Sequence, residues 1–314
     1  LRLVVHGALA VAAVLGGVRG YGSLRLAAAR EALGETVGAV ELAAVRSALE
    51  RHEERPAFRV AKAIQPYLPS ITAPASGDAL LAQCRRAVEA SATVTGGAAF
   101  SAASPSAPAT PRPPWANAAF EVPGLIMVGP AYKLLLRCGL ASDADSFSPE
   151  IGLPAVELLG TVAKDLERGP SLLALALGLR AEKHQLTLIE RMHDRSLAPA
   201  ERLRLRRALQ TDDLALSRRR VLVAEALLAA DYHGLSADND GSFTRALFAV
   251  VGPLAAAAQV DDITRILRAD DSAPTWPDTL FVGNEGLRPS WQRLLDAPTE
   301  VALRRERVRR LLAL

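Results

Sequence analysis

The sequence predicts an all-α protein, an irregular helical bundle or a short stacked-helix array behind an N-terminal membrane helix. Three observations predict it. Apolar residues recur at three- and four-residue steps along most of the chain, and no stretch alternates with period two over more than a few residues. An uncharged apolar run, Leu3 to Val18, lies between Arg2 and Arg19 at the start. With 314 residues, 50% of them hydrophobic, the chain has ample material for one large or two modest cores.

Leu3 to Val18 covers about 24 Å as a helix, slightly short of the roughly 30 Å hydrocarbon core of a bilayer. His6, Gly7, Gly16 and Gly17 dilute it, but the order of basic flank, apolar run and small residues is that of a signal peptide or signal anchor. A buried core helix is the alternative. An uncleaved anchor over 1–22 is the expectation carried forward, although Ala8-Leu9-Ala10 is a cleavage-like triplet inside the run.

From Ser23 the periodicity predicts a helical stalk over 23–90. Leu24, Leu26, Leu33, Val37, Val40, Leu42, Val45 and Leu49 place one long amphipathic helix as far as about Glu54. Pro56 opens a short second helix, which Pro66 and Pro69 limit, and a third spans about Asp78 to Ala90. Its Cys84 sits beside Arg85 and Arg86, which would suit either a reactive thiol of lowered pKa or a small apolar residue on a helix with solvated arginines. Cys84 and Cys138 fit one disulfide in an oxidising compartment or two buried thiols. Residues 91–114 are almost entirely Ala, Ser, Thr, Pro and Gly, the composition of a linker that buries little.

A helical domain is expected over 115–314. Trp115 to Leu140 has the apolar content of a core segment, with breaks or kinks at Pro123 and Pro130. Ser148 and Pro149 mark the next helix start, interrupted near Pro154, and Ser171 to His193 is the clearest helix, with Leu172, Leu175, Leu179, Leu186 and Ile189 on one face. Further helices follow over about Pro199 to Leu209 and Leu214 to Ala230. Ser242 caps one that runs to about Val251, Pro253 opens or kinks the next section, which runs on to Arg268, and Thr299 caps the last. The chain opens without methionine and closes inside an arginine-rich helix, so both ends are expected to be internal to a longer protein.

No reaction is legible in the sequence. It lacks a Gly-rich phosphate loop followed by Lys and Ser or Thr, and G-x-S-x-G, H-E-x-x-H, C-x-x-C and G-x-G-x-x-G patterns. Glu190 and His193 form a single E-x-x-H on a helix, half of what a di-iron bundle uses, so they are the candidates for a metal or small-molecule site while a hydrogen-bonded histidine on the apolar face remains the simpler reading. Glu182 lies two turns away from Glu190, too far to share an ion with it, and His184 is expected to be exposed. Asp238-Asn239-Asp240-Gly241 fails as a calcium loop, because Leu247 falls where a bidentate Glu is needed, and reads as a polar turn. No cofactor or catalytic residue is assigned.

Charge and composition bear on partners. The net charge of +3 is small, the basic residues are almost all arginine, and only 4% of residues are aromatic, which argues against base-stacking and aromatic carbohydrate clefts. Arginine clusters at 202–207, 218–220 and 304–310 are partly neutralised by the nearby Glu201, Asp212, Asp213, Glu300 and Glu306 and read as solvated helix faces, so no nucleic acid is expected. Arg218 and Glu225 fall near an apolar stripe, where a buried polar contact is predicted.

The apolar start, the helical stalk, Pro114-Trp115-Ala116-Asn117-Ala118-Ala119 and the Leu-rich run from Leu172 to Met192 together resemble a class of uncharacterised, membrane-anchored helical proteins of GC-rich bacteria. The resemblance implies location and fold and carries no catalytic residue. The expectation is therefore an extracytoplasmic interaction or scaffold module. It would be held at the membrane by its N-terminal helix and engage a protein partner in the envelope.

Overall fold

A computed structural model describes residues 2–50, 55–68, 77–96, 114–141, 148–193, 197–209, 212–232, 242–269 and 288–313. The described residues form eleven α-helices and no strand. These are α1 (Arg2–Val37), α2 (Ala39–Glu50), α3 (Pro56–Ile64), α4 (Gly77–Gly96), α5 (Pro114–Ala141), α6 (Pro149–Glu167), α7 (Leu172–His193), α8 (Pro199–Ala208), α9 (Leu214–Tyr232), α10 (Ser242–Arg268) and α11 (Arg288–Ala313). The all-helical expectation holds. The linker is described only at its edges, Ser91–Gly96 and Pro114, and 97–113 lies outside the described residues, as does the polar turn at 238–241.

Two compact units form, each from discontinuous sequence. The first takes Leu1–Glu50 and Arg219–Leu295, the second Arg51–Arg218 and Asp296–Leu314. Segments 56–96, expected in a stalk, therefore pack in the same unit as α5 to α8.

In the first unit, α1 lies along α10 in the same direction. Gly22 faces Pro253 and Leu254, where a Cβ would come within 2.9 Å of the Leu254 backbone nitrogen, and further along Arg268 donates to the Thr36 hydroxyl at 2.9 Å. Gly22, Leu26, Ala29 and Leu33 make a buried stripe at steps of four, three and four residues. Leu26, Ala29 and Leu33 close on Leu222, Ala226, Val260, Ile263 and Ile266. Arg25 pairs with Asp261 at 2.8 Å beside that seam. The single helix expected through Glu54 is broken at Gly38, whose φ of +87° is open to glycine at little cost and turns the chain into α2. There Glu41 takes Arg219, and Val45 and Leu49 pack on Val223, Ala224 and Leu227.

The first part of α1 is different. Every described residue from Ala10 to Tyr21 is exposed except the half-buried Val18, including Val11 at 59% and Val14 at 64%. Among the described residues one helical segment, Gly124–Ala141, is long and apolar enough to cross a membrane, so the expected N-terminal membrane helix is not identified. The side chains of residues 2–9, half of the apolar run, lie outside the description. Gly124–Ala141 is 44% buried within the protein. It supplies Leu125, Val128, Tyr132, Leu134, Leu135 and Cys138 to the core of the second unit.

In that unit α5, α6 and α7 pack against one another, with α3 and α4 on α5 and α6 and with α8 on α6. The Cys84–Cys138 disulfide joins α4 to α5, with Cα atoms 5.3 Å apart and both residues fully buried, which decides between the two readings of the cysteines. Several breaks expected at proline are absent. α5, α6 and α10 continue through Pro130, Pro154 and Pro253, because tertiary packing of a long apolar face outweighs one lost backbone bond. α4 extends to Gly96, with Ser91 buried and its hydroxyl donating to the Ala87 carbonyl at 2.8 Å. α11 starts at Arg288 rather than at Thr299, with Pro298 inside it. Ser148 precedes α6 as expected but makes no side-chain cap bond, and two further side chains cap α7 and α9. Ser171 Oγ accepts from the Ala174 amide at 3.1 Å, and Asp213 accepts from the Ala215 amide at 2.8 Å.

Candidate functional site: a buried Glu167–Glu182–Arg305 cluster

The second unit buries two carboxylates and one guanidinium. Each arrives on a helix whose other inward residues are mostly apolar, Gln185 of α7 being an exception. On α7, Leu175, Leu179, Glu182, Leu186 and Ile189 are buried at alternating steps of four and three, so Glu182 occupies a core position. On α11 the same spacing runs Val301, Arg305, Val308, Leu312, with Arg305 in the core position. Glu167 closes α6 after Val156, Leu159, Ala163 and Leu166.

The geometry is asymmetric. Arg305 grips Glu182 with two parallel bonds, Nε to Oε1 at 2.6 Å and Nη2 to Oε2 at 2.8 Å, and its Nη1 donates to the Asp212 carbonyl at 2.7 Å. Its Nη2 is 3.7 Å from Glu167 Oε2, outside hydrogen-bond range. Neither oxygen of Glu167 has a hydrogen-bond partner among the described residues. Gly178 of α7 closes over Glu167, since a Cβ there would lie 3.0 Å from its Cγ. One guanidinium thus faces two fully buried carboxyl groups, and the cluster is neutral only when one proton stays. Burial first, then the negative charge of Glu182, push the Glu167 carboxyl up to about 9. Burial and the neighbouring carboxylate both favour the uncharged form of Glu167.

A second polar bridge lies beside this one. The buried Gln185 amide donates to the carbonyls of Val156 at 3.2 Å and Ala208 at 2.8 Å, tying α7 to α6 and to the end of α8. Gly160 leaves room for that amide, because a Cβ there would collide with Gln185 Nε2. Outside the core, Arg168 holds Asp212 through bonds of 2.6 and 3.0 Å, which lowers the Asp212 pKa, and Arg204 holds Glu157 in the same two-pronged way.

The candidates from sequence are placed as follows. Glu190 is half-buried and both its oxygens are taken by Arg304, at 3.1 and 2.5 Å, with the Thr187 hydroxyl beside them at 2.9 Å from Arg304 Nη2. His193 ends α7 and is half-buried. No group of three or more His, Cys, Asp or Glu side chains suited to a metal ion occurs among the described residues. His184, expected to be exposed, is half-buried against Tyr132, the ring centroids 5.4 Å apart. Burial, followed by the charges of Arg180, Lys133 and Arg304, lowers its pKa. The arginine cluster at 304–310 is only partly a solvated face: Arg305 turns inward, Arg304 reaches α7, and Arg310 stays exposed beside Glu306. Arg218 is buried, as its position near the apolar stripe predicts.

These features define an all-α bundle organised around a buried ionic cluster. No protein-family profile matches the chain, and neither a curated protein nor a solved structure is found to be similar to it.

Proposed function

We propose that this chain is a membrane-anchored extracytoplasmic helical module that acts as an interaction or scaffold unit for a protein partner in the envelope. The observation that carries the reading is the Cys84–Cys138 disulfide, fully buried between α4 and α5. Structural disulfides persist in oxidising compartments and are rare where the cytosolic thiol pool keeps cysteines reduced. The exposed stretch of α1 supports the anchor, because Val11, Val14 and Leu15 lie open among its described residues before the buried Gly22. Paired reporters fused after Leu140, one active only outside the cytoplasm and one only inside it, test the orientation. The external reporter alone is expected to be active, and activity confined to the internal one would overturn the reading.

A further inference from the structure

Beside the buried Val301, Val308 and Leu312, the Asp296–Ala313 part of α11 makes polar contacts of distinct kinds within the second unit. At the rim, Glu300 takes Lys183 at 2.7 Å and Arg304 takes Glu190. At the end, Arg206 of α8 donates to the Leu312 carbonyl. The one ionic contact in the core is Arg305, and it enters a pocket already occupied by two carboxyl groups. Undocking this segment would expose the pocket to water, where Glu167 would ionise like any glutamate. Docking it therefore requires Glu167 to take up or retain a proton, because a single guanidinium already committed to Glu182 leaves the second carboxyl uncompensated in a dry site.

We propose that the Asp296–Ala313 segment is a proton-dependent clasp, docked firmly on α6 and α7 while the Glu167–Glu182 pair holds one proton and loosened as that proton becomes harder to retain. The charges acting on Glu167 are Glu182 from α7, Arg305 from α11 and Asp212 from the segment before α9. Neighbouring charges are committed elsewhere. On α6, Arg168 binds Asp212, and Asp165 accepts from the Ala57 amide at 3.1 Å. Arg55, ahead of α3, donates to the Asp165 carbonyl, and Arg85 of α4 pairs with Glu150. On α8, Arg204 pairs with Glu157, while Lys133 of α5 acts on His184.

Amide hydrogen exchange on the whole chain tests the clasp, with rates corrected for the intrinsic pH dependence of exchange. In the wild type, protection of the amides from Val301 to Leu312 is expected to fall by up to roughly tenfold per pH unit between about pH 6 and about pH 8, which is the linkage for one proton taken up on docking. In Glu167→Gln the same amides are expected to keep their protection across that range, with the rim ion pairs unchanged. Equal pH dependence in the two proteins would overturn the proposal. Infrared spectroscopy of the wild type gives an arm independent of whether the variant folds. A carboxylic-acid carbonyl band is expected at neutral pH, and its absence would equally overturn the clasp.

Discussion

Glu167 is one source of pH dependence in the second unit. Its folded pKa of about 9 stands above the ordinary value of 4.5. The folded state therefore binds more protons than the unfolded chain between those values, and the stability that Glu167 contributes is complete below 4.5 and lost as pH rises toward 9. Denaturant melts of the wild type at stepped pH are expected to show this decline, by at most about 1.4 kcal/mol per pH unit. Glu167→Gln is expected to flatten it and to be at least as stable as the wild type at alkaline pH. Arg305→Met makes the converse case, since it leaves Glu182 buried without its partner, and is expected to lower stability by about 3–5 kcal/mol. The exposed Arg310, paired with Glu306, serves as the comparison. Arg310→Ala is expected to change stability by no more than about 0.5 kcal/mol in the same melts.

At the scale of elements, the Cys84–Cys138 bond closes a loop over a sequence separation of 54 and ties α4 to α5 across the Ala/Ser/Pro-rich segment. The loop-closure relation puts its contribution at about 4 kcal/mol. Replacing both cysteines by serine is expected to reduce stability by about 2–5 kcal/mol, read as a lower denaturation midpoint, and adding reductant to the wild type should reproduce the shift. The helices themselves were largely legible in the sequence, because a period of three to four is local: α3, α6, α7, α8 and α9 fall close to where apolar spacing, prolines and caps place them. What was not legible depends on partners far along the chain. Pro154 and Pro253 look like breaks until the packing that carries the helix through them is known. Glu182 and Arg305 illustrate the same limit. Each interrupts an apolar stripe at its core position, which is a readable signal, but only the fold shows that the two interruptions face one another and that Glu167 is the third member. Glu190 and His193 carried the recognisable motif, yet Glu190 is held by Arg304, a residue 114 positions away.

At the scale of the whole molecule, each of the two compact units is assembled from segments far apart in the sequence. The first 50 residues and residues 219–295 fold together, and so do 51–218 and 296–314. Composition along the chain reports where a segment is polar or poor in core residues, but not which distant segment it joins. The exposed start of α1 has a consequence at this scale. Val14→Lys with Leu15→Lys replaces exposed apolar side chains, so melting should be little changed, and under the proposed anchor the chain is expected in the soluble rather than the membrane fraction. Retention in the membrane fraction by the double variant would argue that another part of the protein holds it there.

The measurement that tests the account most directly is the state of Cys84 and Cys138 in intact cells. Rapid acid quenching, followed by alkylation with a mass-adding reagent before any reduction, reads that state in the fractionated protein. The account predicts chain in the membrane fraction with neither cysteine tagged until reductant is added. Both cysteines tagged without reductant, on protein found in the cytosolic fraction, would contradict it.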